Sequence, residues 1–157
     1  GRVSQEDDFK TIAVNRRARA DYDILETFEA GIALTGAEIK SVRARQVSLA
    51  EAYAHVKDGQ LWLVNCHIAA YQAAGHYGQQ DSRRARKLLL HRTQIARLGL
   101  ESGRQRLTIV PLRLYIKHHL AKVEIGLARG RRRYEKRDVI QSREADREMG
   151  RAVRGRG

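Results

Sequence analysis

The sequence is poor in the residues that disulfide-bonded, membrane-spanning and many catalytic proteins need. It has one cysteine, Cys66, which excludes an intrachain disulfide and which we expect to be a small core residue in a reducing compartment. No apolar run approaches the roughly 18 residues of a membrane-spanning helix, and no secretory signal peptide is visible. A Cys-x-x-Cys pair, a phosphate-cradling glycine loop and a nucleophile elbow are also absent, so little in the sequence indicates an enzyme.

The sequence is instead rich in positive charge. Its 31 Lys and Arg against 18 Asp and Glu give a net charge of +13 and an isoelectric point near 10.6. Such a charge indicates an acidic partner, with nucleic acid first and an anionic membrane surface as the alternative. Because the basic C-terminal segment has no Trp or Phe to insert into lipid, we favour RNA.

Alternating apolar and polar residues predict an antiparallel sheet. Segments 22–34 and 121–128 alternate with a period of two, as half-buried strands do. An Asp-Gly turn at 58–59 predicts a hairpin, and Pro111 marks a sheet edge or a bulge. The other predicted strands cover 53–57, 60–66, 88–90 and 107–115. About six short strands predict a mainly β fold, an antiparallel β-barrel of the OB type with short peripheral helices.

Two helices and three regions complete the predicted architecture. Thr35 and Glu38 form a capping box that starts a helix over 36–44. A second helix is expected over 93–102, with Gly103 as its stop. The regions are a mobile N-terminus at 1–11, an RNA-binding core at 12–129 and a basic tail at 130–157.

The tail has the composition of a disordered segment. From Arg129 onward the chain has eleven Lys or Arg, five Asp or Glu and few large apolar side chains. It therefore buries too little apolar surface to offset the entropy of ordering, and alone it should be disordered. On a helix, five cationic side chains would fall within a stripe of about 80°, which suits folding against RNA. These five are Lys136, Arg143, Arg147, Arg151 and Arg154.

Three basic clusters, at 15–19, 83–87 and 129–133, adjoin predicted strand ends. Guanidinium groups pair with phosphate and stack on bases, so three clusters in one small domain favour an RNA interface. A single cluster, by contrast, is more often a solvated surface. Neighbouring tyrosines are either stacking platforms for unpaired bases or half-buried rings, and these are Tyr22, Tyr71, Tyr77 and Tyr134.

A few single residues have more than one interpretation. His118-His119 is expected to be a turn rather than a metal site, because no third ligand accompanies it. Glu29 projects from the polar face of a strand, where it could orient an arginine or accept from an RNA amino or 2′-hydroxyl group. Leu89 belongs either to the core or to the surface.

Several long motifs, in this order and spacing, resemble the SsrA-binding protein (SmpB) family. They are 15–19 (NRRAR), 26–41 (ETFEAGIALTGAEIKS), 86–91 (RKLLLH), 110–115 (VPLRLY) and 128–132 (ARGRR), and the match runs from about Lys10 to Asp138. The resemblance implies an OB-fold barrel that binds the tRNA-like domain of transfer-messenger RNA in the cytoplasm. RNA and protein together enter ribosomes stalled on mRNA without a stop codon, add a degradation tag and release the ribosome. The resemblance implies no catalytic chemistry, no cofactor and no metal. It also implies that elongation factor Tu is a partner through the RNA complex.

The resemblance also implies site residues. Glu29, Leu89 and Lys122 match positions tied to transfer-messenger RNA, and Gly130 matches the glycine where core gives way to tail. Together with the basic clusters, the expected RNA-binding set is Asn15, Arg16, Arg17, Arg19, Tyr22, Glu29, Arg86, Lys87, Leu89, Lys122, Arg129 and Arg131. Residues 135–137 match the family's Asp-Lys-Arg motif, which engages the ribosomal decoding region. Contacts with the decoding centre and mRNA channel are expected from Tyr134, Glu135, Lys136, Arg137, Arg143 and Arg147.

Several positions depart from the family pattern. Glu135 stands for the motif's Asp, and Ala145 stands where the family often has a tryptophan. His118-His119 replaces the usual Asn-Gly turn, and the loop at 81–85 lacks proline. Gly150 costs the tail helix about 1 kcal/mol relative to Ala. These changes affect local details rather than the assignment.

Two other functions are alternatives to this one. Another OB-fold RNA-binding translation protein, of the ribosomal or initiation-factor type, would bind RNA without preferring a tRNA-like elbow. A small RNA-processing enzyme would need a paired acid and base, which the sequence does not offer.

Overall fold

The protein is mainly β, and its described part also contains three helices of 6 to 14 residues. The computed structural model describes residues 9–70 and 81–130. The strands are β1 (Phe9–Val14), β2 (Tyr22–Ile32), β3 (Val47–Ser48), β4 (Tyr53–Lys57), β5 (Gln60–Val64), β6 (His67–Ile68), β7 (Arg86–Leu89), β8 (Thr108–Lys117) and β9 (Leu120–Gly130). The helices are α1 (Arg16–Asp21), α2 (Gly36–Arg43) and α3 (Arg92–Gln105). All pairings among these strands are antiparallel, as predicted.

Seven strands form one sheet in the order β1-β8-β4-β5-β7-β2-β9, and β8 also pairs with β9. A separate two-stranded sheet consists of β3 and β6. The pairing of β2 with β9 runs from Tyr22 to Gly31, and that of β8 with β9 spans all of β8. Strands β2, β9 and β8 therefore lie side by side over most of their length and provide a broad surface.

The inner face of the sheet carries the core, as the alternation predicts. In β2, Phe28, Ala30 and Ile32 are buried, whereas Thr27 and Glu29 are exposed. Buried aliphatic side chains from other elements complete this core, among them Leu61, Leu63, Leu88, Leu98, Leu114, Val123 and Ile125. Each contributes roughly 1.5–3 kcal/mol through the apolar surface it removes from water. Cys66 is buried in the same core, as predicted, and this burial raises the pKa of its thiol to about 11.

A bulge in β8 divides the outer face of the sheet into two parts. The register against β9 shifts between Pro111 and Arg113, which confirms a bulge at the proline. The alternative of an edge strand is wrong, because β8 has partners on both sides. Before the bulge, Val110 and Leu112 pack under Ala18 of α1 in a second apolar cluster. Helix α1 therefore covers one end of the outer face, and the other end is left for polar side chains.

The predicted capping box marks the start of α2 correctly, whereas Gly103 does not mark the end of α3. The backbone N–H of Glu38 donates to Thr35 Oγ1 at 3.1 Å, and the N–H of Thr35 donates to Glu38 Oε1 at 3.0 Å, so the predicted capping box starts α2. Helix α3 continues past Gly103, which corrects the predicted stop. The left-handed residue after the helix is Arg106, with φ of 57°. A glycine inside a helix costs only about 1 kcal/mol and does not by itself end it.

Both predicted tight turns form. Asp58 and Gly59 join β4 to β5 with φ values of 55° and 75°. His118 and His119 join β8 to β9 with φ values of 52° and 68°. Left-handed backbone at both positions matches the twist of a two-residue hairpin, although histidine adopts it less readily than Asn-Gly.

The sheet extends beyond the predicted core. Strand β1 begins at Phe9, which pairs with Lys117, so residues 9–11 are part of the sheet and the expected boundary of a mobile N-terminus is corrected. No local alternation marks this strand, because its order comes from pairing with a strand about a hundred residues away. The remainder of that N-terminus, most of the polar loop and the tail beyond Gly130 lie outside the described residues. Within the described ranges, no helix is long and apolar enough to cross a membrane.

Candidate nucleic-acid interface

The outer face of the sheet brings together the three residues that the resemblance ties to RNA. Gly31 of β2 pairs with Lys122 of β9 on one side and with Leu89 of β7 on the other. Glu29 lies two residues before Gly31 and therefore on the same face. We call Glu29, Leu89 and Lys122 the sheet patch. Its members come from three strands that are far apart in sequence.

Leu89 is a surface residue, which decides between its two interpretations. Its side chain is 51% exposed, although the neighbouring Leu88 is fully buried. A Cβ atom added to Gly31 would lie 3.4 Å from Leu89 Cβ, so the leucine packs over the bare glycine backbone. Lys87 is two residues away on the same face of β7 and is half-buried. The patch thus combines an exposed apolar side chain with lysines on either side.

The carboxylate of Glu29 is held at one oxygen. Its Oε2 accepts hydrogen bonds from the Tyr115 hydroxyl and from Lys117 Nζ, the latter at 3.4 Å. The bond from Tyr115 lowers the pKa of Glu29, so the group is ionised at neutral pH. No hydrogen bond or ion pair to Oε1 is found among the described residues, and the side chain is 40% exposed. Glu29 therefore keeps an acceptor oxygen without a hydrogen bond there, and none of the described arginines pairs with it.

A second basic surface lies where the core ends. Arg16, Arg17 and Arg19 are exposed on α1, which stops directly before Tyr22. Tyr22 pairs with Gly130, and Arg129 pairs with Asp23 next to it. We call Arg16, Arg17, Arg19, Tyr22 and Arg129 the tail-exit patch. It places the first predicted basic cluster beside Arg129 of the third, near Gly130, where β9 ends.

Asn15 is a structural residue, which corrects its place among the predicted RNA contacts. Its Nδ2 donates to the carbonyl oxygens of Pro111 at 2.9 Å and Leu49 at 3.3 Å, and its Oδ1 accepts from Ala18 N at 3.1 Å. The residue is 5% exposed, so its polar atoms are used inside the protein. Asn15 caps α1 and fixes that helix to the bulge of β8, which positions the arginines on α1.

Arg86 is also structural and not an RNA contact. It lies two residues from Leu88, on the same inward face of β7, and is fully buried. Its Nε donates to Glu38 Oε2 at 2.8 Å, and its Nη1 donates to the carbonyl oxygen of Cys66 at 2.7 Å. Its Nη2 donates to the carbonyl oxygen of Ser82 at 3.1 Å. With its donors directed inward, the guanidinium cannot reach a phosphate at the surface.

Glu38 is the centre of a buried ionic cluster that its capping role does not explain. It is 3% exposed and binds both Arg86 and Arg84, whose Nη2 lies 2.7 Å from Oε1. Burial by itself would raise the pKa of Glu38, but hydrogen bonds from Arg84, the Thr35 backbone and Arg86 outweigh it and lower the pKa to about 2. The cluster ties α2 to β7 and to the residues just before it.

The sequence interpretation missed Tyr115, Arg113 and Phe9 on the outer face. Rings of Phe9 and Tyr115 stack with centroids 4.9 Å apart, and Arg113 Cζ lies 4.6 Å from the Tyr115 centroid. Arg113 is held in turn by Glu124 at 2.9 Å. The alternation in β8 could have placed Arg113 and Tyr115 on the outer face, because they alternate with buried aliphatic residues. The sequence does not show which strands lie beside β8, so their contacts could be assigned only from the fold.

The remaining predicted contacts cannot be placed. Arg131, Tyr134, Glu135, Lys136, Arg137, Arg143 and Arg147 lie outside the described residues. Within the described ranges, no group of three or more His, Cys, Asp or Glu side chains is arranged to hold a metal ion.

An exposed sheet face that carries lysines, next to an arginine-rich helix, has the basic surface expected of a small β protein that binds RNA. Comparison with known proteins agrees with this class. A family model described as SmpB protein matches residues 12–155. The chain therefore belongs to the SmpB family.

Individual relatives match over nearly their whole length. The SsrA-binding protein of Roseiflexus sp. (strain RS-1) is 54% identical over 147 residues, covering 94% of this chain and 93% of that protein. The SsrA-binding protein of Thermobifida fusca (strain YX) is 53% identical, covering 94% and 91%. A solved chain from the structure described as "tmRNA-SmpB: a journey to the center of the bacterial ribosome" superposes with a TM-score of 0.65 at 48% identity, covering 89% of this chain and 97% of that one.

Proposed function

We propose that this protein binds the tRNA-like domain of transfer-messenger RNA and delivers it to stalled ribosomes for trans-translation and tagging of incomplete proteins. The observation that carries the proposal is the sheet patch, because the three residues that the family resemblance ties to this RNA come together on one exposed face. Family membership and the ribosome complex named for the superposed structure support the same role. Another RNA-binding translation protein is a weaker alternative, since neither observation favours it.

The finer features of the proposal follow from this role. We infer that the sheet of residues 9–130 closes as an OB-type barrel, supported by the extra pairing of β9, at one end of the sheet order, with β8, which is next to the other end. The tail at 130–157 would be disordered when free and helical on the ribosome. The protein would act in the cytoplasm without catalytic groups, cofactor or metal, and would meet elongation factor Tu through the RNA. The tail-exit patch would contact ribosomal or transfer-messenger RNA where the tail enters the decoding region.

Substitutions in the sheet patch test the proposal through the sign of their effects. Glu29→Gln removes a negative charge, so general attraction to a polyanion would strengthen binding. We expect instead that it weakens binding of the tRNA-like domain by about tenfold or more, as loss of a charge-assisted hydrogen bond would. The amide oxygen would take the place of Oε2 beside Tyr115, and an N–H group would then replace the acceptor Oε1. Fluorescence anisotropy with labelled RNA measures the affinity.

Lys122→Ala should weaken the same binding, with a stability cost within about 0.5 kcal/mol because the side chain lies on the outer face. Lys57→Ala is the matched control. It removes the same charge from an exposed position on β4, which pairs with neither β2 nor β9. Equal losses for the two lysine variants, or tighter binding by Glu29→Gln, would mean that the sheet patch is not the RNA site.

The core should bind RNA without the tail. A chain that ends after Gly130 keeps β9 whole and retains both the sheet patch and the tail-exit patch. We expect it to keep most of the affinity for the tRNA-like domain, with log K falling by roughly 0.7–0.9 per phosphate neutralised as log salt rises. A titration across salt concentrations measures both quantities. Binding that disappears on truncation would place the main RNA contacts in the tail.

A further inference from the structure

Of the two side chains that hydrogen-bond the Glu29 carboxylate within the described residues, Tyr115 is the better ordered. The hydroxyl group of Tyr115 donates to Glu29 Oε2 from the neighbouring part of the outer face, across β9, which lies between their strands. Lys117 reaches the same oxygen, but at 3.4 Å and from a 40% exposed, flexible side chain. Tyr115 is only 3% exposed, so its hydroxyl has little freedom to move.

The ring of Tyr115 itself contacts two side chains, Phe9 and Arg113, which also contact each other. Phe9 stacks on it with an interplanar angle of 22° and a centroid distance of 4.9 Å. Arg113 Cζ lies 4.6 Å from the ring centroid, and its Nε donates to Glu124 at 2.9 Å. A cation over an aromatic face attracts the ring electrostatically. The hydroxyl that donates to Glu29 is therefore carried by a packed ring rather than by a mobile side chain.

We propose that Tyr115 is a positioning residue for RNA recognition: it fixes Glu29 Oε2, so that Oε1 is presented to a hydrogen-bond donor of the RNA, an exocyclic amino or 2′-hydroxyl group. This inference rests on the proposed function of the sheet patch and adds to it a residue that does not itself contact RNA. Without the tyrosine hydroxyl, the carboxylate would rotate among solvated rotamers. Binding would then require that freedom to be lost, which weakens affinity.

The charges around Glu29 agree with this geometry. Tyr115 and Lys117 face it from β8, and Lys122 and Glu124 face it from β9, where Glu124 is its directly paired residue. The hydrogen bond from Tyr115 is the main reason that the pKa of Glu29 is lowered, and Lys117 and Lys122 act in the same direction. Since Glu124 is paired with Arg113, its negative charge is partly neutralised at that position.

The test is Tyr115→Phe, which keeps the ring, its stacking and the net charge and removes only the hydroxyl. We expect its affinity for the tRNA-like domain of transfer-messenger RNA to fall by about tenfold, while the variant stays folded and loses only the stability of one hydrogen bond. In a double-mutant cycle with Glu29→Gln, the double variant should bind no more weakly than Glu29→Gln alone, because both changes disrupt one acceptor. Tyr53→Phe, which removes an exposed hydroxyl from β4, should bind normally.

A pH series separates positioning from a general structural effect. In Tyr115→Phe the pKa of Glu29 should rise toward its ordinary value, so affinity should begin to fall at a higher pH during acidification than in the unmodified protein. Normal binding by Tyr115→Phe beside weakened binding by Glu29→Gln would overturn this inference and leave the proposed function intact. Additive losses in the cycle would overturn it as well. Normal binding by Glu29→Gln would overturn the sheet patch itself.

Discussion

Glu38→Gln should lower the free energy of unfolding by about 3–5 kcal/mol, the typical cost of removing one partner from a buried ion pair. The loss follows from Arg86, which would remain fully buried without its carboxylate. Because domains are stable by only about 5–15 kcal/mol, this change alone removes a large part of the total. Denaturant unfolding followed by circular dichroism measures it. Glu51→Gln, at an exposed position, is the control and should stay within about 0.5 kcal/mol.

The cluster also predicts a specific non-additivity. Adding Arg86→Met to Glu38→Gln should restore part of the lost stability, since it removes the uncompensated charge and keeps a similar volume. Arg86→Met alone should be destabilising, because Glu38 would lose its buried hydrogen bond and ion pair with Arg86. Losses that simply add would show that Glu38 and Arg86 do not act as a buried pair.

Acid should remove the same stabilisation. The pKa of Glu38 is about 2 in the folded protein and ordinarily 4.5, so the folded state is favoured by ionised Glu38 above pH 4.5. That contribution is lost as the pH falls toward 2. The stability difference between the unmodified protein and Glu38→Gln should therefore shrink progressively between these values. A difference that is constant with pH would contradict this account.

Two cations of the tail should be essential for tagging on the ribosome. Replacing Lys136 and Arg137 with Ala should abolish tagging on stalled ribosomes while leaving the affinity for transfer-messenger RNA nearly intact. The sheet patch lies on the folded core, whereas the two cations belong to the motif that resembles the family's decoding-region contact. A reconstituted translation assay on mRNA without a stop codon, beside an RNA-binding assay, measures both properties.

The control for that pair is the exchange Lys136→Arg with Arg137→Lys, which keeps both charges and should retain most of the tagging. Free in solution, the tail should gain little from helix formation, because like charges repel along its cationic stripe and it has few apolar side chains. Circular dichroism of a 130–157 peptide should therefore detect little helix. Normal tagging by the double Ala variant, or a strongly helical free peptide, would contradict the proposal.

Local sequence patterns were sufficient to predict most of the strands, helices and turns. The alternation in β2 and β9, the capping box of α2 and the turn at 58–59 are each specified within a few residues, because side-chain parity and backbone conformation are local properties. The family resemblance likewise indicates Glu29, Leu89 and Lys122 from the sequence alone. The strand β1 escaped prediction, since its order depends on a distant partner and not on its own alternation.

Only the tertiary structure decided which of the predicted contacts are available. Arg86 and Asn15 resemble surface contacts in sequence but are buried, with their hydrogen-bonding groups used by Glu38 and by the bulge of β8. Leu89 is exposed because its strand turns it away from the core and over Gly31. By itself the sequence determined charge, strand periodicity, caps and family, all of which depend on near neighbours. Burial and hydrogen-bond partners depend on residues brought together from far along the chain, so they could be assigned only from the fold.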